Sequence, residues 1–156
     1  MSYDDAIKSP ENQMWRKAIQ SELDSLEQNN TSVMTKLPDN ANVIGCRWVF
    51  TKKLNKDGSI ARYKARLVAK GFSQRPEVDF DETYAPVISL TSVRTILAYA
   101  TRSKMIIKHF DVCTAFLYGT IHKTIYMRPP RGFKCNDDEV CQLKRSIYGL
   151  KQSPRC

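Results

Sequence analysis

The segment between residues 43 and 72 constrains the fold of this chain more than any other part of the sequence. Residues 48–51 are rich in β-formers, residues 55–58 read Asn-Lys-Asp-Gly, and residues 60–70 resume a strand-like pattern. Turn residues between two runs of this kind are typical of a β-hairpin. The hairpin is the first element that the sequence predicts.

The second strand of this hairpin alternates cationic and apolar residues. Successive strand side chains point to opposite faces, so one face is predicted to be cationic and the other to pack. The cationic set is Arg62, Lys64, Arg66 and Lys70, the packing set is Tyr63, Ala65, Leu67 and Ala69, and Lys52 and Lys53 add charge on the first strand. Like charges in one row repel, which favours a phosphate-binding surface over the alternative of a solvated strand face.

The overall charge points in the same direction. Lys and Arg outnumber Asp and Glu by 25 to 16, giving a net charge of +9. This balance favours a polyanionic partner, nucleic acid before acidic membrane. There is no apolar run of the ~18 residues that a membrane span needs and no signal-peptide pattern. We therefore expect an intracellular protein, cytoplasmic or nuclear, that is neither secreted nor membrane-bound.

The remaining elements predict an α+β fold. A helix starting at Ser9-Pro10 carries an apolar face and ends at Asn29-Asn30, and an extended piece follows at 33–37. A second helix starts at Thr91 or Ser92 and runs to Lys104, with Val93, Ile96, Leu97 and Ala100 facing inward. Strands are predicted at 105–110, 121–127 and 140–143. We divide the chain into an N-terminal extension with an amphipathic helix, 1–40, and a main unit, 41–156.

Asp111 is a single carboxylate among apolar neighbours at the end of the predicted buried strand 105–110. An ionised carboxylate in such a setting is costly unless it is paired or binds a metal. Asp111 is therefore a misfit, a capping residue, or half of a site whose other half lies elsewhere.

Five motifs together resemble one family. They are RWVF at 47–50, YKARLVAKGF at 63–72, FDVCTAFLYG at 110–119, IYM at 125–127, and the segment from Leu143 through YGLKQSPR at 148–155. Their order and spacing are similar to those of the reverse transcriptase of copia-type LTR retrotransposons, from about Trp15 onward.

The resemblance implies the fingers and first part of the palm of a right-hand polymerase. Asp111 would be the first catalytic aspartate and a Mg²⁺ ligand, and Lys64 and Arg66 would hold the triphosphate of a dNTP. The same resemblance assigns the backbone of Val112, Cys113, Thr114 and Ala115 to the triphosphate, Phe116 to the gate that excludes a ribose 2′-OH, and Gly149, Lys151 and Gln152 to the nascent base pair. Arg62, Lys70, Lys52 and Lys53 are predicted to bind the RNA or DNA template-primer. Core packing is the alternative for Phe116 and Tyr148.

The sequence also departs from the family pattern. Thr31-Ser32 stands where the family has Thr-Trp, and Cys156 replaces a tryptophan. The Tyr-x-Asp-Asp motif that carries the other catalytic aspartates does not occur in these 156 residues. Nucleotidyl transfer needs two metal ions held by several carboxylates. We therefore expect a truncated fragment of a Pol polyprotein that is inactive alone; the alternative is a non-catalytic nucleic-acid-binding remnant of a transposable element.

Overall fold

The computed structural model describes residues 1–112, 114–133, 135–136 and 138–156, and its architecture is mixed α+β. The helices are α1 (Tyr3–Lys8), α2 (Asn12–Gln28) and α3 (Leu90–Arg102). The strands are β1 (Ser32–Lys36), β2 (Val43–Ile44), β3 (Cys46–Leu54), β4 (Ile60–Ala69), β5 (Thr120–Met127) and β6 (Glu139–Arg145). Short 3₁₀ turns occupy Gly71–Ser73 and Ala115–Tyr118. Within the described residues, no helix has both the length and the apolar character to cross a membrane.

The strands form two sheets. One has the order β1-β6-β5-β2, with β1, β6 and β5 antiparallel and the short β2 parallel to β5. The other sheet consists of the two strands of the hairpin, β3 and β4. The hairpin, the extended piece at 33–37 and the last two strands were predicted from the sequence, and all four are confirmed.

The predicted alternation along β4 is also confirmed. Ala65, Leu67 and Ala69 are buried, whereas Arg62 is exposed and Lys64 is half-buried. Phe50 pairs with Ala65 and Trp48 with Leu67 across the hairpin, so the same face of β3 is apolar. This inner face packs on α2.

Helix α2 supplies the other side of that contact. The ring of Trp15 is fully buried and meets Phe50 and Tyr63 edge-on, at centroid distances of 5.3 and 4.7 Å. Ile19, one turn further along, belongs to the buried core cluster against which Phe50 packs. The apolar spacing that predicted this helix therefore identified its buried face correctly.

The predicted start of the helix was wrong. Ser9 is the C-terminal cap of a separate short helix, α1, and α2 begins at Asn12. A capping box opens α1, because the Ser2 hydroxyl accepts from the Asp5 amide and the Asp5 carboxylate accepts from the Ser2 amide. A Ser-x-x-acid pattern is a start signal that the sequence did contain.

Two predictions for the middle of the chain were also wrong. Residues 105–110 form no strand and are exposed, with Ile106 at 87%. Helix α3 forms, but Ile96 and Leu97 are 57% and 43% exposed, and only Ala100 is buried. The reason for the missing strand is tertiary: an apolar run becomes a buried strand only when neighbouring strands pair with it. None of the described strands pairs with residues 105–110.

The first testable prediction concerns the contact between α2 and the hairpin. Trp15→Ala removes a fully buried indole, so the free energy of unfolding should fall by about 3–5 kcal/mol. Met14 is 48% exposed on the same helix, and Met14→Ala should change it by no more than about 0.5 kcal/mol. Urea denaturation followed by far-UV circular dichroism measures both. Equal effects of the two substitutions would contradict the packing described.

Candidate nucleotide and nucleic-acid site

The outer face of the hairpin concentrates positive charge. Lys53 lies opposite Arg62, Thr51 opposite Lys64, and Val49 opposite Arg66. Partial burial and the neighbouring charges of Arg66 and Arg62 lower the pKa of Lys64. Neighbouring cations destabilise one another's charged form, and an anion that binds between them stabilises it. We call Lys53, Arg62, Lys64 and Arg66 the basic face.

Two of the predicted nucleic-acid-binding lysines lie apart from the basic face. Lys52 points to the α2 side, where its ammonium is 2.7 Å from the carboxylate of Glu11, and this hydrogen bond raises the pKa of Lys52. Lys70 is exposed just after β4, and the aliphatic part of its side chain runs over Gly45. The ammonium of Lys52 is therefore engaged by Glu11, on the side of the hairpin opposite the basic face.

Three of the sequence motifs meet at Tyr148. The guanidinium of Arg66 lies 4.8 Å from the centroid of the Tyr148 ring, and Phe116 meets the same ring edge-on at 4.9 Å. Arg66 belongs to the hairpin, Phe116 to the 3₁₀ turn after Asp111, and Tyr148 to the segment after β6. Phe116 and Tyr148 pack on each other, but both are only half-buried and neither belongs to the buried core cluster. That packing also joins the motif residues into one cluster.

The segment 148–152 is held tightly against the end of β4. The Ala69 amide donates to the Tyr148 carbonyl at 2.8 Å, and Gly149 has a φ of +91° that L side chains rarely adopt. A Cβ at Gly71 would collide with the Gly149 carbonyl oxygen. This close approach of two backbones fixes the position of the segment relative to the hairpin.

Lys151 and Gln152 were predicted to lie beside a nascent base pair. Gln152 is 8% exposed, its amide donates to the Asp79 carbonyl at 3.0 Å, and it accepts from the Gln74 amide at 3.1 Å. Lys151 is exposed, with its ammonium 4.7 Å from the ring centroid of Phe80. The side chain of Gln152 therefore ties two loops together, whereas that of Lys151 is open to solvent.

Asp111 does not lie in a formed metal site. Asp111 and Val112 are exposed and outside any helix or strand, and Cys113 lies outside the described residues. Thr114 follows with a left-handed φ of 54°, and Ala115 opens the 3₁₀ turn. Within the described residues, no three His, Cys, Asp or Glu side chains are grouped so as to hold a metal ion. The residues described here do not by themselves fit Mg²⁺.

Glu22 is a residue near the site that the sequence reasoning missed. Its carboxylate accepts the Leu67 amide at 3.1 Å, on the side of β4 that faces α2. Burial raises the pKa of Glu22, against the hydrogen bond from Leu67 and the charges of Arg66 and Lys64, which lower it. A signal was present, since Glu22 lies three residues after Ile19 and seven after Trp15, on the apolar face of the helix.

Comparisons with known proteins now give the class of protein. The mixed α+β architecture with its cationic hairpin is consistent with part of a polymerase domain. Residues 29–156 match the family described as reverse transcriptase (RNA-dependent DNA polymerase). The match covers well over half of the chain, so the chain belongs to that family. No solved structure matches it.

Several of the similar proteins are Pol polyproteins of copia-type transposons. The retrovirus-related Pol polyprotein from transposon RE2 of Arabidopsis thaliana is 47% identical over 96% of the chain, and that from transposon TNT 1-94 of Nicotiana tabacum 43% identical over 99%. An uncharacterized mitochondrial protein of Arabidopsis thaliana is 48% identical over 61% of the chain. The chain spans 10% and 12% of the two polyproteins. It therefore corresponds to a reverse transcriptase fragment of a copia-type Pol polyprotein, and the predicted resemblance is confirmed.

Glu22 generates the second testable prediction. Its folded-state pKa is raised, so its contribution to stability is present below the unfolded pKa and is lost as pH rises through the folded pKa. Glu22→Gln keeps the acceptor for Leu67 but cannot ionise. The variant should therefore gain stability relative to the unmodified chain as pH rises from the ordinary glutamate pKa, about 4.3, toward neutral pH.

Urea denaturation across that pH range measures the difference. Glu27→Gln is the matched control, since Glu27 is exposed on the same helix and its replacement should give a much smaller pH-dependent difference. A Glu22→Gln difference that stays constant with pH, or that favours the unmodified chain as pH rises, would contradict the burial argument.

Proposed function

We propose that this chain forms the fingers and the first part of the palm of an RNA-directed DNA polymerase. The observation that carries the proposal is the cluster at Tyr148, where the Arg66 cation, Phe116 and the tight turn at Gly149 converge. A fingers cation and a ring near the sugar must approach one another if both contact the same nucleotide. The family match over residues 29–156 supports this reading.

The proposed roles are those that the resemblance to the family implies, adjusted to the contacts that the side chains make. Lys64 and Arg66 hold the dNTP triphosphate by charge-assisted contacts, and the backbone amides of Val112, Thr114 and Ala115 contact the same phosphates. Phe116 excludes the ribose 2′-OH, and Gly149 and Lys151 line the nascent base pair. Gln152 does not contact the base pair directly in this proposal; it positions the segment that carries Gly149 and Lys151, through its hydrogen bonds to Gln74 and Asp79. Arg62, Lys53 and Lys70 contact the template-primer, and Lys52 joins them only once released from Glu11.

The catalytic centre of the family is metal-dependent, with Mg²⁺ as the ion we propose for the intact enzyme. Asp111 is the aspartate that this chain would contribute. Two metal ions about 3.5–4 Å apart need several carboxylates. Because Asp111 is exposed and without grouped partners in the part of the chain described, we propose that the remaining Pol segments complete the site.

A second candidate function is nucleic-acid binding without catalysis. The observation that favours it is that the hairpin and its packing on α2 are complete, while the segment around Asp111 is exposed. The basic face needs no downstream segment to bind phosphates. The two candidates differ in whether catalysis returns when a downstream half is supplied.

The third testable prediction distinguishes these candidates. The chain alone should give no templated primer extension. Fused to the downstream segment of the transposon RE2 Pol polyprotein, it should extend a primer, and Asp111→Asn should abolish synthesis because a neutral amide lacks the negative charge with which a carboxylate holds Mg²⁺. Phe116→Ala in the fusion should admit ribonucleotides.

Primer extension with labelled dNTP or rNTP measures these outcomes, with circular dichroism to check that the Asp111→Asn fusion is folded. Extension by the chain alone would overturn the half-site proposal. A fusion that stays inactive although it is folded and binds template-primer would favour the remnant, and an active Asp111→Asn fusion would refute the polymerase assignment.

The fourth testable prediction concerns the basic face. Lys53→Gln, Arg62→Gln and Lys64→Gln together should flatten the slope of log affinity against log salt on duplex DNA by up to about three, since each phosphate contact contributes about 0.9. Fluorescence anisotropy with a labelled duplex, titrated at several salt concentrations, measures the slope.

The control removes the same charge elsewhere. Lys8, Lys36 and Lys144 are exposed and lie outside the hairpin, on α1, β1 and β6. Their replacement by Gln should lower affinity slightly through net charge and leave the slope nearly unchanged. Equal slopes for the two triple variants would place the phosphate contacts outside the basic face.

A further inference from the structure

Phe72 is an aromatic ring in an unusual position. It lies in the 3₁₀ turn Gly71–Ser73, directly after the cationic strand β4, and its side chain is 81% exposed. The glycine before it is buried, and Gln74 two residues later is 4% exposed. The chain therefore turns inward on both sides of Phe72 and leaves the ring in solvent.

The turn that carries Phe72 is held in place. The Ser73 amide and hydroxyl both donate to the Lys70 carbonyl, at 3.0 and 2.7 Å, and the Gln74 amide donates to the Gly71 carbonyl at 3.1 Å. The Gln74 side chain accepts from the Lys151 amide at 2.8 Å. Phe110, equally exposed at 82%, lies in a segment without helix or strand. Phe72 is thus presented on an anchored turn, which lowers the entropy lost when a ligand packs on it.

The charge beside Phe72 is positive. Lys70 and Arg75 are exposed on either side of it, and residues 70–76 contain no acid. An exposed ring between cations can stack on a base while the cations hold the flanking phosphates. A base within a duplex already stacks on its neighbours, so only an unpaired strand offers a free base face. An apolar protein segment would not use Lys70 and Arg75.

We propose that Phe72 is a stacking platform for an unpaired nucleobase of single-stranded RNA or DNA. The inference rests on the proposed function, because in a polymerase the single strand beside the fingers is the template that has not yet been copied. It adds a contact to bases, which the basic face does not make.

The fifth testable prediction compares four chains that differ at position 72. The probes are a short single-stranded oligodeoxynucleotide carrying one 2-aminopurine, and the same strand annealed to its complement. Phe72→Ala and Phe72→Leu should each weaken binding of the single strand about tenfold, because neither residue offers a π-face, whereas Phe72→Trp should keep or improve it. Duplex affinity and its salt slope should stay within about twofold of the unmodified chain.

A second readout detects stacking directly. The 2-aminopurine fluorescence should be quenched on binding to the unmodified chain and to Phe72→Trp, and remain unquenched with Phe72→Ala. Tyr99→Ala is the matched control, since Tyr99 is 65% exposed on α3, away from the hairpin, and its replacement should leave both affinity and quenching unchanged.

The outcomes separate this inference from the proposed function. If Phe72→Ala keeps the salt slope of the unmodified chain and also its affinity for the single strand, the stacking inference is overturned and the proposed function is not. Full affinity in Phe72→Leu would show apolar docking in place of stacking and would overturn it too, as would an equal loss on duplex. Failure of the unmodified chain to bind either probe would refute nucleic-acid binding itself, and the inference with it.

Discussion

The arrangement of the candidate site depends on one contact, the packing of Trp15 against Phe50 and Tyr63. Side chains alternate along a strand, so fixing Phe50 and Tyr63 toward α2 fixes Arg62, Lys64 and Arg66 on the opposite side. A shift of the register by one residue would bury the cations and expose the apolar set. The contact that supplies core stability therefore also decides that the basic face is open to a ligand.

The same region shows what could be predicted from the sequence. The hairpin strands show an apolar periodicity of two residues, and α2 shows one of three to four residues. Both patterns predict the element correctly wherever the fold buries one of its faces. The start of α2 was wrong because Ser9-Pro10 has the residues of a helix start, but the capping box at Ser2 had already begun an earlier helix. The sequence thus contains two helix-start signals, at Ser2 and at Ser9-Pro10, and local residue patterns alone do not show which of them caps a helix.

The strand predicted at 105–110 failed for a different reason. Its apolar composition suits a buried strand, but burial depends on partner strands, and the described sheets do not extend to it. The convergence of Arg66 and Phe116 on Tyr148 was beyond sequence reasoning for a related reason. Those residues are far apart in the chain, and their contact follows from the close approach of Gly71 and Gly149, which no periodicity encodes. The resemblance to a polymerase family implied that these residues act together, but it did not show that Tyr148 joins them.

The two parts of the proposed site, one around Arg66 and one around Asp111, differ in how firmly the described residues hold them in position. Arg66 lies on the packed hairpin and contacts the ring of Tyr148, whose carbonyl accepts a hydrogen bond from the Ala69 amide. Among the residues that the structure describes, Asp111 has no comparable support, because the residues on either side of it, Phe110 and Val112, are 82% and 62% exposed. A metal-binding carboxylate must be positioned to within about 0.5 Å, which requires neighbours that lock its rotamer. The proposed phosphate- and base-binding part of the site is thus formed by local packing, whereas the proposed catalytic part, around Asp111, lacks packed neighbours among the described residues. We therefore expect the two proposed functions, binding and catalysis, to be separable, because the buried contacts of the described residues support the first part and not the second.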